Sequence, residues 1–209
     1  MQVDCIPLGD FETNCYIVRE NADAKECLII DPGFSPEPLI EMIQQNNWRP
    51  QRIILTHGHC DHIAGVKLLR QTFHSIPVAI SSPDRTMLTN DKENLAWMTG
   101  QLLKLDQPED ILNPGDIIKL GELELKVLPT PGHTPGGISF YCEKASIIFV
   151  GDALFAGSIG RTDFPHGDTN TLLNGIRQQI FTLPDETTVY TGHGPATTVA
   201  AEKKTNPFF

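Results

Sequence analysis

The chain has 209 residues, 40% of them hydrophobic and 20% charged, with a formal net charge of -10 at pH 7. That length suits one globular domain with a sizeable core, and the acidic excess opposes attraction to nucleic-acid phosphates and anionic membranes. No window approaches the roughly 18 consecutive apolar residues of a membrane span. The opening MQVDCIPLGD carries no basic start followed by an apolar run, so no secretory signal is read and the cytoplasm is the expected location. Five cysteines (Cys5, Cys15, Cys27, Cys60, Cys142), with no C-x-x-C pair, fit reduced thiols better than a disulfide framework.

In chain order, short β-rich apolar runs recur as CIPL, CYIV, CLIID, RIILT, VAI, LELKVL, ISFYC, SIIFVG and TVYTG. Helix-like segments lie between them. SPEPLIEMIQQN offers Ser35 as N-cap and Pro36 at the first helical position, and IAGVKLLRQTF and TLLNGIRQQI carry apolar residues at helical spacing. Strands interleaved with helices predict an α/β fold. The Pro- and Gly-rich stretches 31–38 and 129–137 read as turns, Gly121 as a tight strand connection, and 91–116 as an irregular flap.

The segment LTHGHCDHIAG concentrates His57, His59, Asp61 and His62 in six positions. If the strand persists past RIIL, His57 and His59 share one side, and Asp61 and His62 follow at a helix entry. Neutral imidazoles and carboxylates are the usual donors to zinc-like ions. Three later apolar runs also end in such donors: His133, Asp152 and His193 each follow a strand in a Gly-containing loop. Open α/β sheets gather their sites at these strand ends. Five histidines and two aspartates exceed one tetrahedral shell but suit two divalent ions. The expected partition is His57, His59 and His133 on one ion, Asp61, His62 and His193 on the other, and Asp152 bridging. The donors accept zinc, the expected metal, and also iron or manganese. His74, near a helix end, and His166, in a loop, stay outside the ligand set.

THGHCDH fits the H-x-H-x-D-H signature of the metallo-β-lactamase superfamily, with His133, Asp152 and His193 at its remaining ligand positions. The resemblance implies a single domain over residues 1–209, a four-layer αββα sandwich built of two similar halves. TNCYIV, IIDPG, FVGDALFAGSIGRTDFPHGD and TGHGPATTVAAEKKTNPFF look most like the glyoxalase II-type hydrolases, which cleave S-acylglutathione thioesters. Their helical C-terminal domain has no counterpart in the sixteen residues after His193. The resemblance implies a substrate-binding role for Arg161 toward the glutathione moiety; the alternative is an ion pair with Asp163 or Asp168.

The expected reaction is thioester hydrolysis, for example of S-lactoylglutathione, by a hydroxide bridging two metals, with Asp61 as the catalytic residue that orients the nucleophile or takes its proton. Cys60 is read as a bystander. Asp31 is either a partner that orients a ligand imidazole or a turn residue before Pro32. The expected partner is a small-molecule thioester, with neither nucleic acid nor membrane. The nearest rival is a persulfide dioxygenase, which the GRTDF run also resembles, holding one iron through His57, His133 and Asp152. A nucleic-acid processor would carry more basic surface, and a β-lactam hydrolase usually lacks the last histidine of the motif and is exported. A non-catalytic metal-binding module is the remaining alternative.

Overall fold

The computed structural model describes residues 1–74 and 76–209. Strands β1 (Gln2–Leu8), β2 (Thr13–Arg19), β3 (Glu26–Ile30), β4 (Arg49–Ile54), β5 (Val78–Ser81) and β6 (Asp110–Leu112) form a six-stranded sheet in that order. It is antiparallel through β3 and parallel from β3 to β6. Every residue of β2 is buried, so this strand is covered on both faces, as in a sheet packed on each side.

In the second half run β7 (Ile117–Leu120), β8 (Leu123–Pro129), β9 (Ile138–Cys142), β10 (Ile147–Gly151), a short hairpin of β11 (Leu154–Phe155) with β12 (Ser158–Ile159), then β13 (Thr188–Thr191) and β14 (Thr197–Thr198). Six of them make a second sheet in the order β14-β13-β10-β9-β8-β7. The β7–β8 pair closes at Leu120 opposite Leu123 through Gly121, whose φ of +58° suits the tight turn expected there.

Three apolar clusters define four layers. Val18, Leu28 and Ile30 of the first sheet meet Leu125, Val127, Phe140 and Phe149 of the second between the sheets. The outer face of the first sheet packs on α1 (Glu37–Gln45) and α3 (Val66–Thr72), through Leu39, Ile43 and Leu69. That of the second packs on α4 (Thr169–Gly175), its π-helical continuation Ile176–Ile180, and α5 (Val199–Thr205), through Leu172, Ile180 and Val199. Burying each such side chain contributes about 1.5–3 kcal/mol. Among the described residues no helix is long and apolar enough to cross a membrane.

Four local expectations are corrected. Pro36, not Ser35, is the cap residue of α1, which begins at Glu37 with no side-chain cap bond; Ser35 itself turns the chain at a φ of 52°. The helix expected over 63–73 is divided into α2 (Cys60–Ile63) and α3, because Gly65 packs against the 32–33 turn: a Cβ there would lie 2.7 Å from the Gly33 carbonyl oxygen. The flap 91–116 contains β6, a three-residue edge strand that pairs with β5. The end of the chain, given no element from sequence, forms α5, capped by Thr198 Oγ1 accepting from Ala201 N.

Candidate metal centre

The carboxyl ends of β4, β8, β10 and β13 meet at one edge, and the seven expected donors follow them there. The sheets are joined at that edge: Ile138 N donates to Thr56 O at 2.9 Å, and Asn14 N to Gly192 O at 2.8 Å. Strand β4 ends at Ile54, so His57 and His59 lie in a turn rather than along an extended strand. Their rings still meet, centroids 4.8 Å apart at 87°, but they offer different nitrogens to the centre. A Cβ at Gly192 would collide with the Asp152 carboxylate, so only glycine lets the loop before His193 come this close.

Partners on the far side of the rings set the tautomers. Thr56 Oγ1 donates to Asp31 Oδ2 at 2.6 Å, so it accepts from His57 Nδ1 at 3.1 Å, and His57 Nε2 is left as a free lone pair. His62 Nδ1 donates to Asp31 Oδ2 at 3.0 Å, His133 Nδ1 to Arg161 O at 2.7 Å, and His193 Nδ1 to Phe11 O at 2.9 Å. Each of these rings therefore turns Nε2 inward. His59 instead brings Nδ1 to within 2.9 Å of His133 Nε2.

Two groups of donors result, each with its ligand atoms mutually within 4.8 Å: His57, His59 and His133, and Asp61, His62 and His193. Asp152 lies between them. Its Oδ2 is 3.5 Å from His133 Nε2, and its Oδ1 is 3.3 Å from His62 Nε2 and 3.6 Å from His193 Nε2. Asp61 Oδ2 is 3.2 Å from His193 Nε2 and 3.5 Å from His62 Nε2. Asp31, His57 and His62 are close enough to form a third group. Asp31 is nevertheless committed: its oxygens accept from Thr56 N at 2.8 Å, Thr56 Oγ1 and His62 Nδ1. It holds imidazoles in place while turning the chain at a φ of 51°, so both sequence readings of Asp31 hold.

Electrostatics divide the groups in the same way. Burial and then the neighbouring imidazoles push His57 well below the ordinary histidine range, and burial and then His133 lower His59 to about 3. Against the opposing effect of burial, His62 holds the carboxyls of Asp152 and Asp61 below their usual range. Those carboxylates in turn raise His62 and His193, again against burial. His57 Nε2, His62 Nε2 and Asp152 Oδ1 are buried without a hydrogen-bond partner, an expensive state unless a cation supplies what the protein withholds. The donor set of imidazole nitrogens and carboxylate oxygens fits divalent metal ions.

A cleft of about 560 Å³ opens over Asp61, Asp152, His59, His133 and His193, and Arg161 and Cys60 also line it. Arg161 makes the ion pair with Asp163, Nε to Oδ1 at 2.9 Å and Nη2 to Oδ2 at 2.8 Å; Asp168 instead caps α4 by accepting from Thr171 N. Cys60 is buried, which pushes its thiol up to about 12. His74 and His166 are exposed and stand outside both donor groups.

Sequence reasoning missed Asp84. Fully buried beyond the end of β5, it accepts from Gly58 N at 3.2 Å, Thr134 Oγ1 at 2.7 Å and Gly136 N at 2.6 Å, clasping the loop of His57 and His59 to that of His133. A carboxylate just past an apolar strand is the signal that could have found it.

The sequence profile of the metallo-beta-lactamase superfamily matches residues 8–193. A protein of Haemophilus influenzae named hydroxyacylglutathione hydrolase GloC is 36% identical over 209 residues, covering 100% of this chain and 98% of that protein. Among solved structures, the BLEG-1 B3 metallo-beta-lactamase superposes with a TM-score of 0.93 at 39% identity over 99% of both chains. TTHA1623 in a di-iron-bound form superposes at 0.84 and 35%, over 99% of this chain and 100% of that one. With its αββα layers, its convergent His and Asp donors and relatives matched end to end, the chain belongs to the metallo-beta-lactamase superfamily, a metal-dependent hydrolase fold.

Proposed function

We propose that the chain is a cytoplasmic hydrolase of small-molecule thioesters that holds two divalent cations, one on His57, His59 and His133 and one on Asp61, His62 and His193, with Asp152 shared between them. The observation that carries the reading is the set of three buried, unpartnered donor atoms, His57 Nε2, His62 Nε2 and Asp152 Oδ1, at the base of a cleft that reaches solvent. Five unpaired cysteines fit a reducing compartment, and the name of the Haemophilus influenzae relative supports a thioester as substrate. The di-iron form of TTHA1623 supports a two-ion site and makes iron a candidate beside zinc.

Such cations, when bound, lower the pKa of water toward neutrality and polarise a carbonyl oxygen. The protein supplies position and proton transfer. Asp61 lines the cleft and accepts from Thr13 Oγ1 at 3.4 Å, which leaves its carboxylate facing the space above the donors, where it orients the attacking water and takes its proton. Asp31 and the Arg161 and Phe11 carbonyls keep the imidazoles from rotating. No protein nucleophile is needed, and no base hydrogen-bonds to Cys60 Sγ among the described residues.

A second reading, hydrolysis of a β-lactam, is favoured by the 39% identity to the structure named a B3 metallo-beta-lactamase. The test is a panel run on the metal-loaded chain: S-lactoylglutathione, a penicillin and a cephalosporin, with oxygen uptake recorded in the presence of glutathione persulfide. Thioester hydrolysis is the expected result. Turnover of the β-lactams alone would replace the substrate class, and oxygen consumption without hydrolysis would put a single-iron oxidation in place of the whole reading.

A further inference from the structure

We infer that the cleft is built to hold a bulky apolar group beside the scissile carbonyl, so that the preferred thioesters carry an apolar acyl chain rather than a short hydroxyacyl group; the substrate class rests on the hydrolase reading above. Phe164 stands 5.7 Å from the ring of His59, and Phe155 stands 6.1 Å from that of His193, so an aromatic wall flanks each donor group. Ile159, Leu95, Met98 and Phe11 add further apolar lining, interrupted by the hydroxyls of Thr99 and Ser158. Phe11 and Met98 are 51% and 55% exposed. Apolar surface gathered at the mouth of a catalytic cleft marks a surface that something apolar covers.

Charge points the same way. Among the described residues lining the cleft, Arg161 is the only basic side chain besides the histidines, and Asp163 already engages its guanidinium at two nitrogens. Its remaining face lies over the Phe164 ring at 4.1 Å. A carrier such as glutathione, with two carboxylates and an ammonium group, finds little to pair with here, so discrimination falls to the apolar walls.

The segment that carries Leu95 and Met98 is held to the metal-binding turn. Asn94 is fully buried; its Nδ2 donates to Met87 O at 2.9 Å and Leu103 O at 3.0 Å, and its Oδ1 accepts from Ala96 N at 3.0 Å. Cys60 N, one residue before Asp61, donates to Asn94 O at 2.8 Å, and Leu105 N donates to Leu88 O at 2.7 Å at the far foot. Leu95 sits at a φ of +66°, a conformation a leucine adopts only when its surroundings enforce it. The wall is thereby placed against the donors rather than left as a free loop.

The test measures binding of two unreactive thioethers, S-methylglutathione and S-hexylglutathione, to the metal-loaded full chain by calorimetry, beside kcat/KM for S-acetyl-, S-lactoyl- and S-hexanoylglutathione. Each buried methylene is worth about fourfold. S-hexylglutathione is expected to bind at least about tenfold tighter than S-methylglutathione, and the hexanoyl ester to exceed the lactoyl ester by a similar ratio. Met98→Ser, at an exposed position, should shrink the binding ratio to about threefold or less. Equal binding of the two thioethers, or a ratio untouched by Met98→Ser, overturns the inference. Hydrolysis without acyl preference sinks this inference and leaves the hydrolase reading standing, whereas a hexyl preference without any hydrolysis upholds the apolar recognition and sinks the hydrolase reading.

Discussion

The two donor groups are a few ångströms apart yet differently built. His57, His59 and His133 are 2%, 5% and 6% exposed and meet as imidazoles, with burial keeping those of His57 and His59 neutral. Asp61, His62 and His193 include a carboxylate and reach solvent, with the side chains of Asp61 and His193 16% and 27% exposed. On the proposed two-cation reading the contrast implies a division of labour: the dry group would grip a cation with imidazoles alone, while the open group would keep anionic charge and a facing surface where water arrives. Asp152 lies between the two, which on the same reading makes it the residue whose loss should cost most.

Replacing Asp152 with Ala is accordingly expected to lower turnover by about a thousandfold or more and to deplete metal from both groups. A variant that kept two ions per chain would break the assignment of Asp152 as the shared ligand. Next in size come His57→Ala and His193→Ala, compared side by side. Each should take the load from two ions toward one and cost roughly a hundredfold or more in turnover, but the ion remaining in His193→Ala, held by the dry group, should resist a chelator longer. If the two variants shed metal alike, the division of labour is wrong. Asp31→Ala, which frees His57 and His62 from their common anchor, should weaken metal binding by about 10–100-fold, read by chelator competition. Undiminished affinity would reduce Asp31 to a turn residue. Smallest of all, Cys60→Ala should leave turnover within about threefold, and a loss matching that of His57→Ala would restore a thiol to the chemistry.

The donors were legible because they are rare residue types set directly beyond apolar strands, where the chain must turn and both sheets end. His133, Asp152 and His193 could be read from that grammar alone, and the α/β class from alternating strands and helices, whereas the four-layer sandwich was implied only by the resemblance to a family. Less legible was whatever acts through backbone or across long separations. The carbonyls of Phe11 and Arg161 orient His193 and His133, and a carbonyl leaves no trace in residue identity. Asp84 has partners 26 to 52 positions away, and Asn94 is a polar side chain buried under an irregular segment, so only the folded chain reveals what either one holds. Strand β6 is too short for a periodic signal. Helix α5 is marked by Thr198 and Glu202 in its first turn, but at seven residues it is too short for a clear helical period.

The proposed chemistry turns on the number of cations that this edge of the sandwich holds. Elemental analysis of the full chain, loaded with zinc or iron and then dialysed free of unbound metal, measures that number directly. Two ions per chain is the predicted result; a chain that never retains more than one, under conditions where it is folded, would contradict the account.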